Sequence, residues 1–479
     1  MKFLGSLASR LGFLLCASTN LLVGPAVAAS LAEEWLGPFR AVGLPAEAVS
    51  FSVLVMPADK GLGARPLVAF GHRDRVAMNP ASTIKLVTTA AALDLLGPDY
   101  RPVTKFFALG PVSKGVLKGG LGILGGGDPK FVVEDLRAVI GQLRAQGIRR
   151  IEGRFVLDGS RYQEPTPDPS AFDGQPLKPY NVPPHAAMMN FKAVRLGLST
   201  DQGRLSLTME PVLADLRLES KVRLVKGGCE KNRFDFRQAS LNTLEVSGLM
   251  GQKCEGFERY LAIYDHAQFA YRLFAKAWRD AGGSIAAKPE KAVIPPQAKL
   301  LLAWTSPRPL LEILGEINKR SNNPMARTVF LELSASAQGD GTRTDASERV
   351  KQWLTSKGLP MPELVIENGS GLSRRERIST GGLTALLAQR LSQPDPFPWI
   401  ETLALAGLEG TVRKRLGADS TVGRAWIKTG SLEDVRSIAG YALSDSGRWV
   451  VFSVFVNHPQ AGLSKPVLDQ FVEKLVGTY

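Results

Sequence analysis

A serine and a lysine three residues apart, Ser82 and Lys85, open the apolar stretch "NPASTIKLVTTAAALDLLG" at 79–97. Its alanine and leucine content predicts a buried helix, ended by the Gly-Pro breaker of "GPDY". Residues three apart on a helix share a face and touch. A neutral lysine in that position can take the proton of the serine hydroxyl. An exposed lysine, with a pKa of about 10.4, stays protonated and cannot. Burial or a second cation lowers that value and makes a usable base. The competing interpretation is a helix start with a lysine whose stem packs and whose head reaches water. Ser-x-x-Lys occurs once in this chain and is a weak signal alone.

Two further polar groups interrupt apolar context. "SNN", Ser321 to Asn323, falls at a break between two helical patterns in "PRPLLEILGEINKRSNNPMARTVFLELSA". Such a break can present side chains to a cleft or simply cap a helix. Ser-x-Asn also occurs at Ser18–Asn20 and Ser240–Asn242, so the triplet says little alone. "KTG", Lys428 to Gly430, ends an apolar strand pattern, followed by Ser431. The lysine offers a point charge for a carboxylate. The glycine lets a ligand approach the strand closely. The plain alternative is a strand end before a turn.

Taken in order, SxxK at a helix start, SxN between helices and KTG on a late strand form the signature set of penicillin-binding proteins and serine β-lactamases. Beyond those motifs, the chain resembles the D-alanyl-D-alanine carboxypeptidases of the penicillin-binding protein 4 type, the low-molecular-mass class C group. "NPASTIKLVTTAAALDLLGPDYR" resembles the first-motif helix of that family. "LKGGLGILGGGDP" resembles its inserted-domain segment, "ENGSGLSRRERIS" its Asp-Gly-Ser-Gly-Leu-Ser-Arg stretch, and "GLEGTVRKR" its Gly-Thr segment before KTG. The resemblance covers nearly the whole chain and weakens between about 200 and 256. Asn322 and Asn368 stand where the family often has Asp.

The resemblance implies an α/β fold. Its core is a DD-peptidase/β-lactamase-like transpeptidase domain, an antiparallel sheet flanked by helices, with β-rich inserted domains. The expected division is 29–98 with 297–479 for the catalytic domain, 99–180 with 265–296 for a second domain, and 181–264 for a third. The texture agrees, because short strands with glycine turns fill the region from Arg101 to about Pro296.

The resemblance also implies roles. Ser82 is the nucleophile and Lys85 its base. Ser321 relays a proton to the leaving group, and Asn323 holds Lys85 and substrate. Lys428 and Thr429 bind a terminal carboxylate. Gly430 and Ser431 line the strand edge, with the Ser82 and Ser431 amides as oxyanion hole. The implied substrate is a peptidoglycan stem peptide ending in D-Ala-D-Ala, and β-lactams are implied as acylating inhibitors. Within "AFDGQPLKPYNVPP", Asp173 is expected either to meet the amino end of a diaminopimelate side chain or to be a solvated loop carboxylate. Cleavage of crosslinks by the same site is a close neighbour of this activity. A β-lactamase would call for a Glu-x-x-Leu-Asn segment after SxN, and none is there. A non-catalytic scaffold on the same fold would not need Ser82, Lys85 and Lys428 together. A Ser-His-Asp hydrolase is not expected, since Gly-x-Ser-x-Gly is missing.

Composition narrows the setting. The 479 residues are 44% hydrophobic and 22% charged, enough for a sizeable core. The basic "MKFLGSLASR", an apolar run and "PAVAAS" predict a cleaved secretory leader over 1–28, with the cut near Ala28 and a periplasmic or otherwise exported protein. Cys16 lacks a small residue before it, so no lipid anchor is expected. The remaining cysteines, Cys229 and Cys254, are either one disulfide or two buried thiols. The net charge of +14 suits anionic wall polymers, lipid head groups or acidic substrates, and peripheral wall or membrane association stays open. No basic run is interleaved with aromatics, so nucleic acid is not an expected partner. No two of the four histidines have metal-ligand spacing, and neither metal nor cofactor is expected.

Overall fold

The computed structural model describes residues 25–57, 65–201 and 204–479. Most of the expected leader, and the glycine loop at 59–64, lie outside the described residues. A six-stranded antiparallel sheet runs in the order Ala404–Leu405, Ala425–Ser431, Val435–Leu443, Trp449–Asn457, Val49–Val55, Val68–His72. Strands from the two ends of the chain therefore meet at its centre, where Val49 pairs with Val456.

Alternation along the strands splits the core in two, because successive side chains point to opposite faces. Phe51, Val53, Val450, Phe452 and Val454 pack on one face. There they meet Trp35, Leu36 and Phe39 of the helix Pro25–Ala41 and Phe471, Val472 and Leu475 of the helix Ser464–Thr478. Val451, Phe455 and Tyr441 point the other way, into a cluster with the helices Lys85–Leu96, Leu310–Arg320, Asn323–Ala335 and Thr380–Leu391. The helix Lys85–Leu96 is buried nearly all round, as its composition predicts.

The intervening residues form three further sheets. A seven-stranded mixed sheet combines Val103–Ala108, Gly120–Leu124, Arg150–Asp158 and Ser284–Lys291 with short edge pieces, and carries the helices Val133–Ala145 and His266–Asp280. Its edge strand is Lys299–Thr305, paired with Val103–Ala108. That strand lies past the expected boundary at 297. Pro295 and Pro296 break the chain only briefly, and the next apolar run rejoins the same sheet. One three-stranded sheet joins Arg217–Val225, Thr243–Gly251 and Arg233–Ser240, and another joins Gly256–Leu261, Val194–Asp201 and Arg204–Glu210.

Polar contacts lock the insert to the catalytic helices. Buried Glu332, on the helix Asn323–Ala335, accepts from Tyr162 Oη (2.9 Å), Arg161 Nε (3.0 Å) and Tyr100 Oη (2.6 Å). Arg308 pairs with buried Asp135 at 2.9 Å. Each carboxylate is thus desolvated with its hydrogen bonds satisfied, the condition under which such burial is tolerated.

Cys229 and Cys254 are bonded, which resolves the alternative left open by the sequence. The bridge closes a sequence separation of 25 residues within the 181–264 segment. Replacing both cysteines by serine should lower the stability of that unit by about 3 kcal/mol. A thermal unfolding midpoint unchanged by the double replacement would contradict this.

Candidate active site

Asn79 sets the nucleophile's turn. Its backbone N–H donates to Asn457 Oδ1 (2.8 Å), and its carbonyl accepts from Asn457 Nδ2 (3.0 Å). Its side chain accepts from the Ala81 N–H (2.9 Å) and donates to the Ser373 carbonyl (3.0 Å). So clamped, the chain passes through Ala81 at φ +44°, a left-handed conformation that costs an alanine energy and is typical of functional turns. Residues Ala81–Ile84 then form a 3₁₀ turn, and the α-helix proper begins at Lys85. This corrects the expectation of a continuous helix from 79. The 3₁₀ geometry eclipses residues three apart, and Lys85 Nζ lies 3.0 Å from Ser82 Oγ.

Lys85 is fully buried. Its Nζ also donates to Asn323 Oδ1 (2.7 Å) and to the Ser370 carbonyl. Both of these are acceptors only. A neutral amine has two N–H groups and one lone pair. With the N–H groups spent on Asn323 and Ser370, the lone pair is left for the Ser82 hydroxyl proton. Burial first, and then the charge of Lys428, hold the Lys85 ammonium well below the ordinary lysine range, against the opposing pull of Glu376.

The second motif sits between two helices. Ser321 is the left-handed C-cap of Leu310–Arg320 at φ +56°. Asn322 caps the next helix, accepting from the Met325 N–H at 3.0 Å. Asn323 is the first residue of that helix and turns inward to Lys85. Its Nδ2 reaches the Tyr180 carbonyl at 3.5 Å, tying the proline-rich loop of the insert to the site.

Lys428, Thr429, Gly430 and Ser431 are the last four residues of the strand Ala425–Ser431, as expected. Fully buried Lys428 donates to Ser321 Oγ (2.9 Å) and to the Thr429 carbonyl (2.6 Å). Burial pulls its pKa down to about 7. Thr429 Oγ1 bonds Thr411 Oγ1 at 2.8 Å. Gly430 passes so near the nucleophile's turn that a Cβ there would stand 2.8 Å from both the Ser82 N and the Pro80 carbonyl, and 2.2 Å from Ser437 Oγ.

A cleft of about 440 Å³ opens over these groups, lined by Ser82, Ser321, Asn323 and Ser431. Across it stand Asp173, Tyr180 and Arg374. Burial raises the Asp173 pKa, but hydrogen bonds from Tyr180 Oη (2.7 Å) and Asn181 Nδ2 (2.7 Å) outweigh it and hold the carboxylate ionised. The structure thus brings Ser82, Lys85, Ser321, Asn323, Lys428 and Ser431 into one place and sets Asp173 on its wall. Missing from the sequence-based set are Ser370, whose carbonyl holds Lys85, Thr411 and Glu376. The "ENGSGLSRRERIS" and "GLEGTVRKR" segments were the available signals for them. Among the described residues no group of three or more His, Cys, Asp or Glu is arranged to hold a metal ion.

A serine hydroxyl 3.0 Å from a fully buried lysine amine, on an antiparallel sheet flanked by helices, is the arrangement of a serine acyl-transfer enzyme of the DD-peptidase and β-lactamase fold class. The model of the D-Ala-D-Ala carboxypeptidase 3 (S13) family matches residues 58–475, and the chain belongs to that family. It is a serine-type D-Ala-D-Ala carboxypeptidase. The chain is 25% identical to the D-alanyl-D-alanine carboxypeptidase DacB of Haemophilus influenzae over 398 residues, 80% of this chain and 81% of that protein. It is 28% identical to the D-alanyl-D-alanine carboxypeptidase of Actinomadura sp. (strain R39) over 406 residues, 80% and 74% of the two chains. The fold is similar to that of Haemophilus influenzae penicillin binding protein 4, with a TM-score of 0.73, 23% identity and coverage of 93% of this chain and 98% of that one.

The close passage of the strand predicts that Gly430→Ala lowers kcat/KM for a D-Ala-D-Ala peptide by at least about 100-fold, because the nucleophile's turn must move. Steady-state hydrolysis on the folded variant checks it, and parent-like kinetics would contradict it.

Proposed function

We propose that Ser82 carries the acyl group in hydrolysis of the terminal D-Ala-D-Ala bond of a peptidoglycan stem peptide. The observation that carries this reading is the placement of fully buried Lys85, whose Nζ lies 3.0 Å from Ser82 Oγ and whose charged form is disfavoured by burial and by Lys428. Ser82 Oγ attacks the carbonyl carbon of the penultimate D-alanine while its proton passes to Lys85 Nζ. The backbone N–H groups of Ser82 and Ser431 receive the developing oxyanion, at about 3 kcal/mol per donor in comparable sites. As the tetrahedral species collapses, the peptide C–N bond breaks, and the leaving amine takes the proton that Lys85 received, relayed through Ser321, which Lys428 orients at 2.9 Å; Lys85 is neutral again. Lys428 and Thr429 bind the substrate's terminal carboxylate. Water then attacks the ester and returns the proton to Ser82.

A β-lactam acylates the same serine. Asp173, ionised on the far wall, suits the ammonium of a diaminopimelate side chain. Crosslink cleavage uses the same atoms with a longer leaving group. The Cys229–Cys254 bridge and the net charge of +14 favour an exported, oxidising location close to anionic wall polymers.

The two lysines give the pH dependence its signs. Lys85 must be neutral, so kcat/KM falls as pH drops through its lowered pKa. Lys428 binds a carboxylate only when charged, so kcat/KM falls again as pH rises through a value well below 10.5. Hydrolysis of a stem peptide should be bell-shaped and abolished, by about 10⁴-fold, in Ser82→Ala. Lys428→Gln should raise KM and remove the alkaline limb. Hydrolysis by Ser82→Ala at the parent rate would refute the assignment.

A further inference from the structure

Behind the nucleophile, the chain from 367 to 376 folds around a buried carboxylate. Glu376 has no exposed surface. Its Oε1 accepts the backbone N–H groups of Glu367 (3.2 Å), Asn368 (3.0 Å) and Gly369 (3.1 Å). Successive N–H groups converging on one oxygen make an anion-holding nest. Its Oε2 is also buried and has no hydrogen-bond partner. An unsatisfied buried carboxylate oxygen is costly, and its persistence calls for an explanation.

The carbonyls that follow the nest supply one. The Gly369 carbonyl accepts Thr88 Oγ1 at 2.7 Å, on the helix that begins with Lys85. The Ser370 carbonyl accepts Lys85 Nζ and lies 3.4 Å from Ser82 Oγ. Gly371, at φ +83°, presses so close that a Cβ would stand 2.1 Å from the Ala81 carbonyl and 2.6 Å from the Ser82 N. The turn therefore has its N–H groups on Glu376 and its carbonyls on the catalytic helix. The Asn368 side chain braces it from within, accepting from the Ser370 N–H at 3.0 Å and donating to the Leu372 carbonyl at 3.0 Å.

The charges around Lys85 come from three other elements: Lys428 on its strand, Arg327 on the helix Asn323–Ala335, and Glu376. Glu376 is the one carboxyl group among them: burial raises its pKa, while the three backbone N–H bonds and the charge of Lys85 pull against that rise and favour its ionised form.

We propose that Glu376 is a positioning residue for acylation: it holds the 367–370 turn so that the Ser370 carbonyl takes one N–H of Lys85, and it sets one buried negative charge against the cations around that amine. The proposal rests on Ser82 being the acylated serine and Lys85 its base. Two effects follow. Loss of the nest loosens the Ser370 carbonyl and slows acylation at every pH. Loss of the charge removes the attraction that favours the protonated amine, so the acid limb moves to lower pH.

The test is the second-order rate of Ser82 acylation by labelled penicillin as a function of pH, for the parent, Glu376→Gln and Glu376→Asp, with thermal unfolding run alongside. Glu376→Gln should shift the acid limb to lower pH. Glu376→Asp keeps the charge on a shorter stem, so it should keep the parent limb and lose between about tenfold and a hundredfold of the plateau rate. A folded Glu376→Gln with its limb at the parent pH overturns the proposal. If Glu376→Gln does not fold, Glu376→Asp decides: a lowered plateau with the parent limb supports the proposal, and a parent-like plateau overturns it. Failure of the parent to label at Ser82 would instead remove the mechanism on which the proposal rests.

Discussion

An ammonium is the last group expected inside an apolar helix, and the catalytic domain is arranged around the consequence of putting one there. Removing Lys85 from water makes its charged form expensive. Lys428, buried in the neighbouring strand, raises that cost further. The protein then spends the amine's hydrogen-bonding capacity on Asn323 and Ser370. What remains is an amine 3.0 Å from Ser82, held by groups on two other elements. Each of those elements must be fixed for the base to point the right way, and much of the fold serves that end.

The clamps are of two kinds. Asn79 and Asn457 join the nucleophile's turn to the central sheet through a reciprocal pair of hydrogen bonds. That ties the first quarter of the chain to its last strand. Asn323 reaches the proline-rich loop through Tyr180, and Glu332, further along the same helix, takes Arg161 and Tyr162 of the insert. The insert is therefore not a passive appendage. It braces the helix that orients Lys85 and contributes Asp173 and Tyr180 to the wall of the cleft.

Much of this was legible in the chain because it is written in side chains. Ser82, Lys85, Ser321, Asn323 and Lys428 carry distinctive chemistry in apolar settings, and the structure brings them together. The strand Ala425–Ser431 was legible as an apolar run ending in Lys-Thr-Gly. The Ser370 carbonyl was not, since every residue has a carbonyl and only the tertiary fold decides which one meets an amine. Glu376 reads as one more charge in "SRRERIS" until its burial is known. The 3₁₀ turn before Lys85 was hidden because α and 3₁₀ starts draw on similar residues, and here Asn79 decides between them from outside the helix. Lys299–Thr305 joined the insert's sheet against the Pro-Pro signal, because pairing with Val103–Ala108 outweighs a local break.

The central claim is that Ser82 is the acylated serine and that neutral Lys85 makes it so. The most direct measurement is to expose the protein at neutral pH to labelled penicillin, digest it, and identify the labelled peptide by mass, beside a Lys85→Arg variant whose cation cannot give up its proton. The account predicts label on the peptide containing Ser82 in the parent and none in Lys85→Arg, with both proteins folded. Label on another residue, or equal labelling of Ser82 in the two proteins, would contradict it.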